Sequence, residues 1–77
     1  MEYFSVKLLI FYMENINVLL TRDQLYNHLY GVEWDGKDRK IDIYTSKIRS
    51  IVKDLGYKVE SVRHKGYIYK KKQTHGG

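Results

Sequence analysis

The sequence predicts a small α+β domain of three helices followed by a C-terminal β-hairpin. Three observations point there. Apolar residues recur at helical spacing across segments 2–14, 22–30 and 38–55. Gly31 and Gly56 stand where the second and third segments stop. From Tyr57 the chain turns to Tyr, Val and Ile in two runs separated by His64-Lys65-Gly66, the pattern of a hairpin. Seventy-seven residues make one domain, here residues 1–72, near the size at which a single hydrophobic core is only just sufficient. Residues 73–77 lack apolar periodicity and are expected to form a disordered tail.

Each element has its own signal. In the first helix Phe4, Leu8, Phe11 and Tyr12 repeat at i, i+4, i+7 and i+8 with no Gly or Pro between them. The other side is apolar too: Val6, Leu9, Ile10 and Met13 leave only Ser5, Lys7 and Glu14 polar, so more than one flank calls for cover. Val18, Leu19 and Leu20 read as an extended connector tucked under that helix. Thr21-Arg22-Asp23-Gln24 is a capping-box pattern, in which the threonine hydroxyl accepts from the Gln24 amide while the glutamine side chain reaches back. It opens a second helix with Leu25, Leu29 and Tyr26 inward.

Gly31 to Lys37 is a turn-rich loop around Asp35-Gly36. Trp34 within it is either an anchor folded back on the core or a contact for a partner, and the anchor reading is preferred. Asp38 can cap a third helix, whose inward stripe is Ile41, Thr45, Ile48, Val52 and Leu55. At the helical rise this segment spans roughly 25 Å, enough for its N-terminal half to occupy a groove while the rest packs on the domain. Strands over 57–62 and 67–71 follow, with Gly66 in the demanding backbone position of the turn. Two strands alone are marginal in water, so Val59, Val62, Ile68 or a tyrosine must dock the hairpin on the helices.

The formal net charge of +5 is unevenly spread. Residues 1–36 carry Lys7 and Arg22 against Glu2, Glu14, Asp23, Glu33 and Asp35, which is −3. Residues 37–77 carry twelve Lys or Arg against Asp38, Asp42, Asp54 and Glu60, which is +8. A cationic half beside an acidic one suits a polyanionic partner, nucleic acid first and an anionic membrane surface second. The longest apolar run, Leu8 to Met13, has six residues where a membrane span needs roughly twenty. The N-terminus lacks a secretory pattern and the chain has no cysteine, so a cytoplasmic protein is expected.

The cations are placed in a telling way. Arg39, Lys40, Lys47 and Arg49 share the third helix with Ile43, Tyr44 and Ser46, and the hairpin follows with Ser61, Arg63 and Lys65 near its tip. A donor-rich helix face beside a basic hairpin fits a duplex, with the helix in the major groove and the tip on the backbone or minor groove. Arg and Lys can hold phosphates or donate to guanine, while Tyr44 and Ile43 can meet a thymine methyl or a sugar.

These residues also carry a resemblance. Ser5 to Met13, Thr21-Arg22-Asp23-Gln24-Leu25, Tyr30-Gly31, Arg39-Lys40-Ile41-Asp42-Ile43, Lys47-Ile48-Arg49 and Val62-Arg63-His64-Lys65-Gly66-Tyr67 occur in that order. Nearly the whole chain thereby resembles the DNA-binding effector domain of OmpR/PhoB-type response regulators. The resemblance implies a winged helix-turn-helix that binds double-stranded DNA in transcription regulation, often as paired protomers. It implies groove-facing residues at Arg39, Lys40, Ile43, Tyr44, Ser46, Lys47 and Arg49 and wing contacts at Ser61 and Arg63. It further implies contact with RNA polymerase through the loop before the third helix, with Glu33, Trp34 and Asp35 as candidates.

Three departures from the family pattern have consequences. The family usually places a small antiparallel sheet before the first helix, and a chain starting at Met1 leaves no room for it. Phe4, Val6 and Ile10 are then expected to meet a second protomer, giving a homodimer. The family often has glycine where His64 stands, which bears on the turn of the wing. No phosphoacceptor receiver domain is present in these residues, so phosphorylation control is not implied.

Other classes are disfavoured. His28, His64 and His75 have no ligand-like spacing, so no metal is expected, and no cofactor motif occurs. Asp38 and Asp42 are better explained as a cap and a partner for a nearby cation than as an acid–base pair, and Ser46 and Ser61 have no signalled base. No enzyme is expected. The main alternative is a protein-interaction module working through the apolar first helix or the Trp34 loop, with its basic face incidental. Single-strand or RNA binding is weaker, because the aromatics form no evident stacking platform.

Overall fold

The computed structural model describes residues 2–73; Thr74 to Gly77, most of the expected tail, lie outside the described residues. Helix α1 (Tyr3–Glu14) leads into a short strand β1 (Leu19–Thr21), followed by α2 (Arg22–Tyr30) and α3 (Lys40–Val52). A single 3-10 turn (Lys53–Leu55) then leads to β2 (Tyr57–Val62) and β3 (Gly66–Lys71). The α+β architecture of three helices and a C-terminal hairpin is as the patterning predicts.

The helix ends follow local chemistry. Thr21 Oγ1 accepts from the Gln24 amide at 3.1 Å and Gln24 Oε1 accepts from the Thr21 amide at 2.9 Å, so the capping box starts α2 as expected. Gly31 ends it at φ +72, and its amide donates to Asn27 O at 2.7 Å. Asp38 serves α3 from just outside the helix, accepting from the Lys40 amide at 2.9 Å. Only Lys40–Val52 is α-helical, because the chain tightens to a 3-10 turn at Lys53 before Gly56 turns it left-handed. The tighter turn swings Leu55 off the inward stripe: it is 67% exposed, whereas the sequence placed it in the core.

The sheet differs from the expected isolated hairpin. Leu19–Thr21 is not a connector beneath α1 but a third strand, antiparallel to β3, with Leu20 opposite Tyr67 and Thr21 opposite Gly66. The order is β1-β3-β2, which puts β3 in the centre, and Val59 stands opposite Tyr69 and Ser61 opposite Tyr67. Leu20, Val59, Tyr67 and Tyr69 line the buried face of the sheet. Val62 and Ile68 are only half-buried, so the tyrosines and Val59 do the docking.

Gly66 earns its place by a different route from the one expected. The left-handed residue of the wing turn is His64, at φ +62. Gly66 lies opposite Thr21 of β1, and a Cβ there would lie 2.0 Å from Leu20 O and 2.8 Å from Thr21 Cα. The side chain is excluded by a neighbouring backbone, not by the conformation of the glycine itself.

The core is built from Leu8 and Tyr12 of α1, Leu25 and Leu29 of α2, and Ile41, Ile48 and Val52 of α3 against that sheet face. Thr45, the one polar member of the α3 stripe, is fully buried and pairs with the Tyr12 hydroxyl at 2.8 Å. Burial pushes the Tyr12 phenol above its ordinary range and the bond to Thr45 pulls it partly back, so the pair is neutral and satisfied. Val6 and Ile10 lie outward on α1, 40% and 51% exposed. Phe4 does not join them. It is half-buried, its ring 4.7 Å from that of Tyr30, and so belongs to the core fringe and not to a free face.

Candidate nucleic-acid interface

Helix α3 has one side committed to the core, which fixes what its other sides can do. Ile41, Tyr44, Thr45, Ile48 and Val52 are buried, so the direction opposite them carries Arg39, Ile43, Ser46 and Ser50 at i, i+4, i+7 and i+11. All four are exposed, and Lys47 flanks them, also exposed. Ser50 was not among the residues singled out from sequence, although the same spacing would have found it.

Three predicted groove residues have other duties. Tyr44 is 8% exposed, and its hydroxyl meets that of Tyr30 at 3.0 Å, because its position flanks the apolar stripe. Lys40 pairs with Asp38 at 3.1 Å and lies 5.4 Å from the centre of the Tyr30 ring, turned toward α2. Arg49 is half-buried: its Nε donates to Val59 O at 2.9 Å and its Nη2 to Ser61 Oγ at 2.6 Å. Arg49 and Ser61 therefore tie α3 to β2 rather than standing free for a ligand.

The wing supplies what the helix does not. Arg63, His64 and Lys65 form its exposed tip. Together with Lys37, Arg39 and Arg22 they line one cleft between the wing, the start of α3 and the loop that precedes it. Asp23, Asp38 and Asp42 share that cleft, but Asp38 is engaged by Lys40 and Asp42 by Arg22, at 2.9 Å. With Arg22 set against Asp42 and Asp38 held by Lys40, the cations Lys37, Arg39, Arg63 and Lys65 face Asp23 alone, so the cleft is cationic. Lys37 and Arg22 were not assigned to the interface from sequence; only the folded topology brings them beside the wing.

The loop between α2 and α3 is built to hold its shape. Trp34 Nε1 donates to Asp38 O at 2.8 Å and the Trp34 amide donates to Asp23 Oδ1 at 3.2 Å, which is the geometry of an anchor. Asp35 Oδ1 accepts from the amides of Lys37 and Asp38, both at 2.8 Å. The amides of Asp38 and Lys37 hold the Asp35 carboxyl below its ordinary value, as the Lys40 amide does for Asp38. Glu33, just before Trp34, is exposed. Among the described residues no group of three His, Cys, Asp or Glu gathers to hold a metal, and no helix is long and apolar enough to cross a membrane.

Residues 4–69 match the family model described as transcriptional regulatory protein, C terminal. The chain belongs to this family. Among curated members, the transcriptional regulatory protein RstA of Escherichia coli is 37% identical over 54 residues, covering 66% of this chain and 23% of its own length. The regulator CiaR of Streptococcus pneumoniae is 29% identical over 65 residues, covering 82% of this chain and 29% of its own. The phosphate regulon regulator PhoB of Klebsiella pneumoniae is 32% identical over 65 residues, with 82% and 28% covered. The chain thus spans under a third of the length of these family members. A crystal structure of the Klebsiella pneumoniae RstA DNA-binding domain in complex with the RstA box superposes with a TM-score of 0.79 at 29% identity, covering 91% of this chain and 72% of that one. The winged helix-turn-helix fold of the family is therefore that of this chain.

Proposed function

We propose that this domain binds double-stranded DNA in transcription regulation, with the outer stripe of α3 in the major groove and the tip of the wing on the adjacent backbone or minor groove. The observation that carries the reading is the convergence of Arg39 from the start of α3 and Arg63 and Lys65 from the wing on one cationic cleft. Phosphates need cations arranged at several points along one surface, and base edges need a helix that stands clear of the core. Ile43, Ser46, Lys47 and Ser50 meet the second need. The DNA-bound RstA domain supports the reading by likeness of fold and sequence.

Selecting bound duplexes from a random pool at near-physiological salt tests it. A shared motif among the recovered duplexes is the expected result; recovery without sequence preference would reduce the domain to a charge-attracting surface.

Two further partners belong to the same reading. The exposed Val6 and Ile10 on α1 offer a face for a second protomer, to be checked by sedimentation of the free protein. Glu33, exposed on a loop stiffened by Trp34 and Asp35, is the residue of that loop best placed to touch RNA polymerase. A cytoplasmic location accords with such a role.

A further inference from the structure

Tyr67 of β3 sits where α2, α3 and the wing meet. Its hydroxyl donates to Asp42 Oδ1 in the first turn of α3. The same carboxylate oxygen accepts from Arg22 Nε at the start of α2. The guanidinium carbons of Arg22 and Arg49 lie 5.0 Å and 5.4 Å from the centre of the Tyr67 ring, both within cation–π range. Arg49 then continues to Val59 O and Ser61 Oγ on β2. One phenol thus links α2, α3 and both strands of the wing.

The placement of the network matters more than its strength. Asp42 and Arg49 are seven residues apart, on the flank of α3 that faces the sheet, so they meet the wing at two points along the helix. Two attachment points along an axis resist rotation of the hairpin about the end of the helix, which a single contact would not. The ring of Tyr67 is buried, and burial first, then the bond to Asp42, raises its hydroxyl above the ordinary phenol value. The hydroxyl therefore remains a donor across the neutral range.

We propose that Tyr67 is a positioning residue: bonded to Asp42 and lying against Arg22 and Arg49, it sets the angle between wing and α3, and so governs discrimination among DNA sites more than attraction to DNA at large. The inference rests on the proposed DNA-binding function. Attraction to phosphates depends on the number of cations, which Tyr67 does not alter. Reading a site requires the wing tip and the α3 stripe to be in register at once, which a loose hinge forfeits.

Tyr67→Phe tests this, because it keeps the ring against both guanidiniums and removes only the hydroxyl. Binding of the wild-type domain to a duplex recovered from the pool and to a scrambled duplex is measured first, by fluorescence anisotropy. Absence of preference in the wild type would overturn the function itself. Given a preference, Tyr67→Phe is expected to narrow the ratio of the two affinities about tenfold while scrambled-duplex affinity and its salt slope stay unchanged. Equal weakening on both duplexes, or an unchanged ratio, would overturn the positioning role.

A second readout separates geometry from folding. The chain has no cysteine, so spin labels can be placed uniquely at Ile51→Cys on α3 and Lys65→Cys on the wing. In the free protein the label-to-label distance distribution is expected to broaden in Tyr67→Phe with helical circular dichroism retained. A distribution as narrow as in the parent would contradict the proposal.

Discussion

Gly66→Ala is expected to disrupt the sheet while changing no charged or ligand-facing group. The added Cβ would lie 2.0 Å from Leu20 O, and both this oxygen and Thr21 Cα at 2.8 Å are backbone atoms that no side-chain rotation can move. Either β1 must leave β3 or the central strand must shift, and both break the pairing that places Leu20 opposite Tyr67. Overpacking of a tight site costs about 1–3 kcal/mol. Loss of a strand pairing adds to it, so a fall of about 3 kcal/mol is expected. For a domain of this size that lowers the melting temperature by roughly 12–24 °C. Gly36→Ala is the instructive comparison: its Cβ would meet nothing within 4 Å, and the cost is confined to its φ of +81, about 1 kcal/mol. Thermal unfolding of the two variants decides the matter. A drop in Gly66→Ala no larger than in Gly36→Ala would refute the close approach of β1 to β3 at this point.

The second large effect concerns binding. Arg39, Lys47 and Arg63 are exposed cations on the α3 stripe, its flank and the wing tip. Replacing all three with alanine should weaken duplex binding about a hundredfold or more at near-physiological salt. It should also reduce the magnitude of the slope of log affinity against log salt by about 2–3, close to one for each phosphate contact removed. The matched control removes the same charge elsewhere. Lys58, Lys71 and Lys72 lie around the far end of the hairpin, away from its tip, where they line a separate basic depression. Replacing those three with alanine alters the net charge identically and is expected to leave the salt slope within one unit of the parent. Equal losses in both triple variants would mean that net charge, not the cleft, attracts the duplex.

Much of this molecule is legible in local sequence because local rules built it. The capping box at Thr21, the left-handed stops at Gly31 and Gly56, and the helical stripe through Ile41, Ile48 and Val52 need no distant partner to be recognised. What escaped sequence reasoning depends on residues far apart along the chain. Leu19–Thr21 becomes a strand only because β3, near the other end of the chain, offers an open edge, and three consecutive residues carry no alternation to announce it. The role of Gly66 was misread for the same reason: the obstacle is the backbone of Leu20, which the turn sequence does not contain.

The site shows the same division. Arg39, Ile43, Ser46 and Lys47 are exposed as the helical period requires. Arg49 and Ser61, which read as free donors in the sequence, are held by each other across α3 and β2, and Tyr44 is drawn inward beside Tyr30. Charge identifies which residues can serve a polyanion, but only packing decides which of them are available.

Amide shifts of the isotope-labelled domain on addition of a recovered duplex report on α1, α3 and the wing at once, and so show which surface meets DNA. The largest changes are expected at Arg39, Ile43, Ser46, Lys47 and Ser50 and across Arg63 to Lys65, with Val6, Ile10 and Met13 of α1 little changed. Changes concentrated on the outer face of α1 or around Lys58 and Lys71, with the α3 stripe and the wing tip unmoved, would contradict the proposed interface.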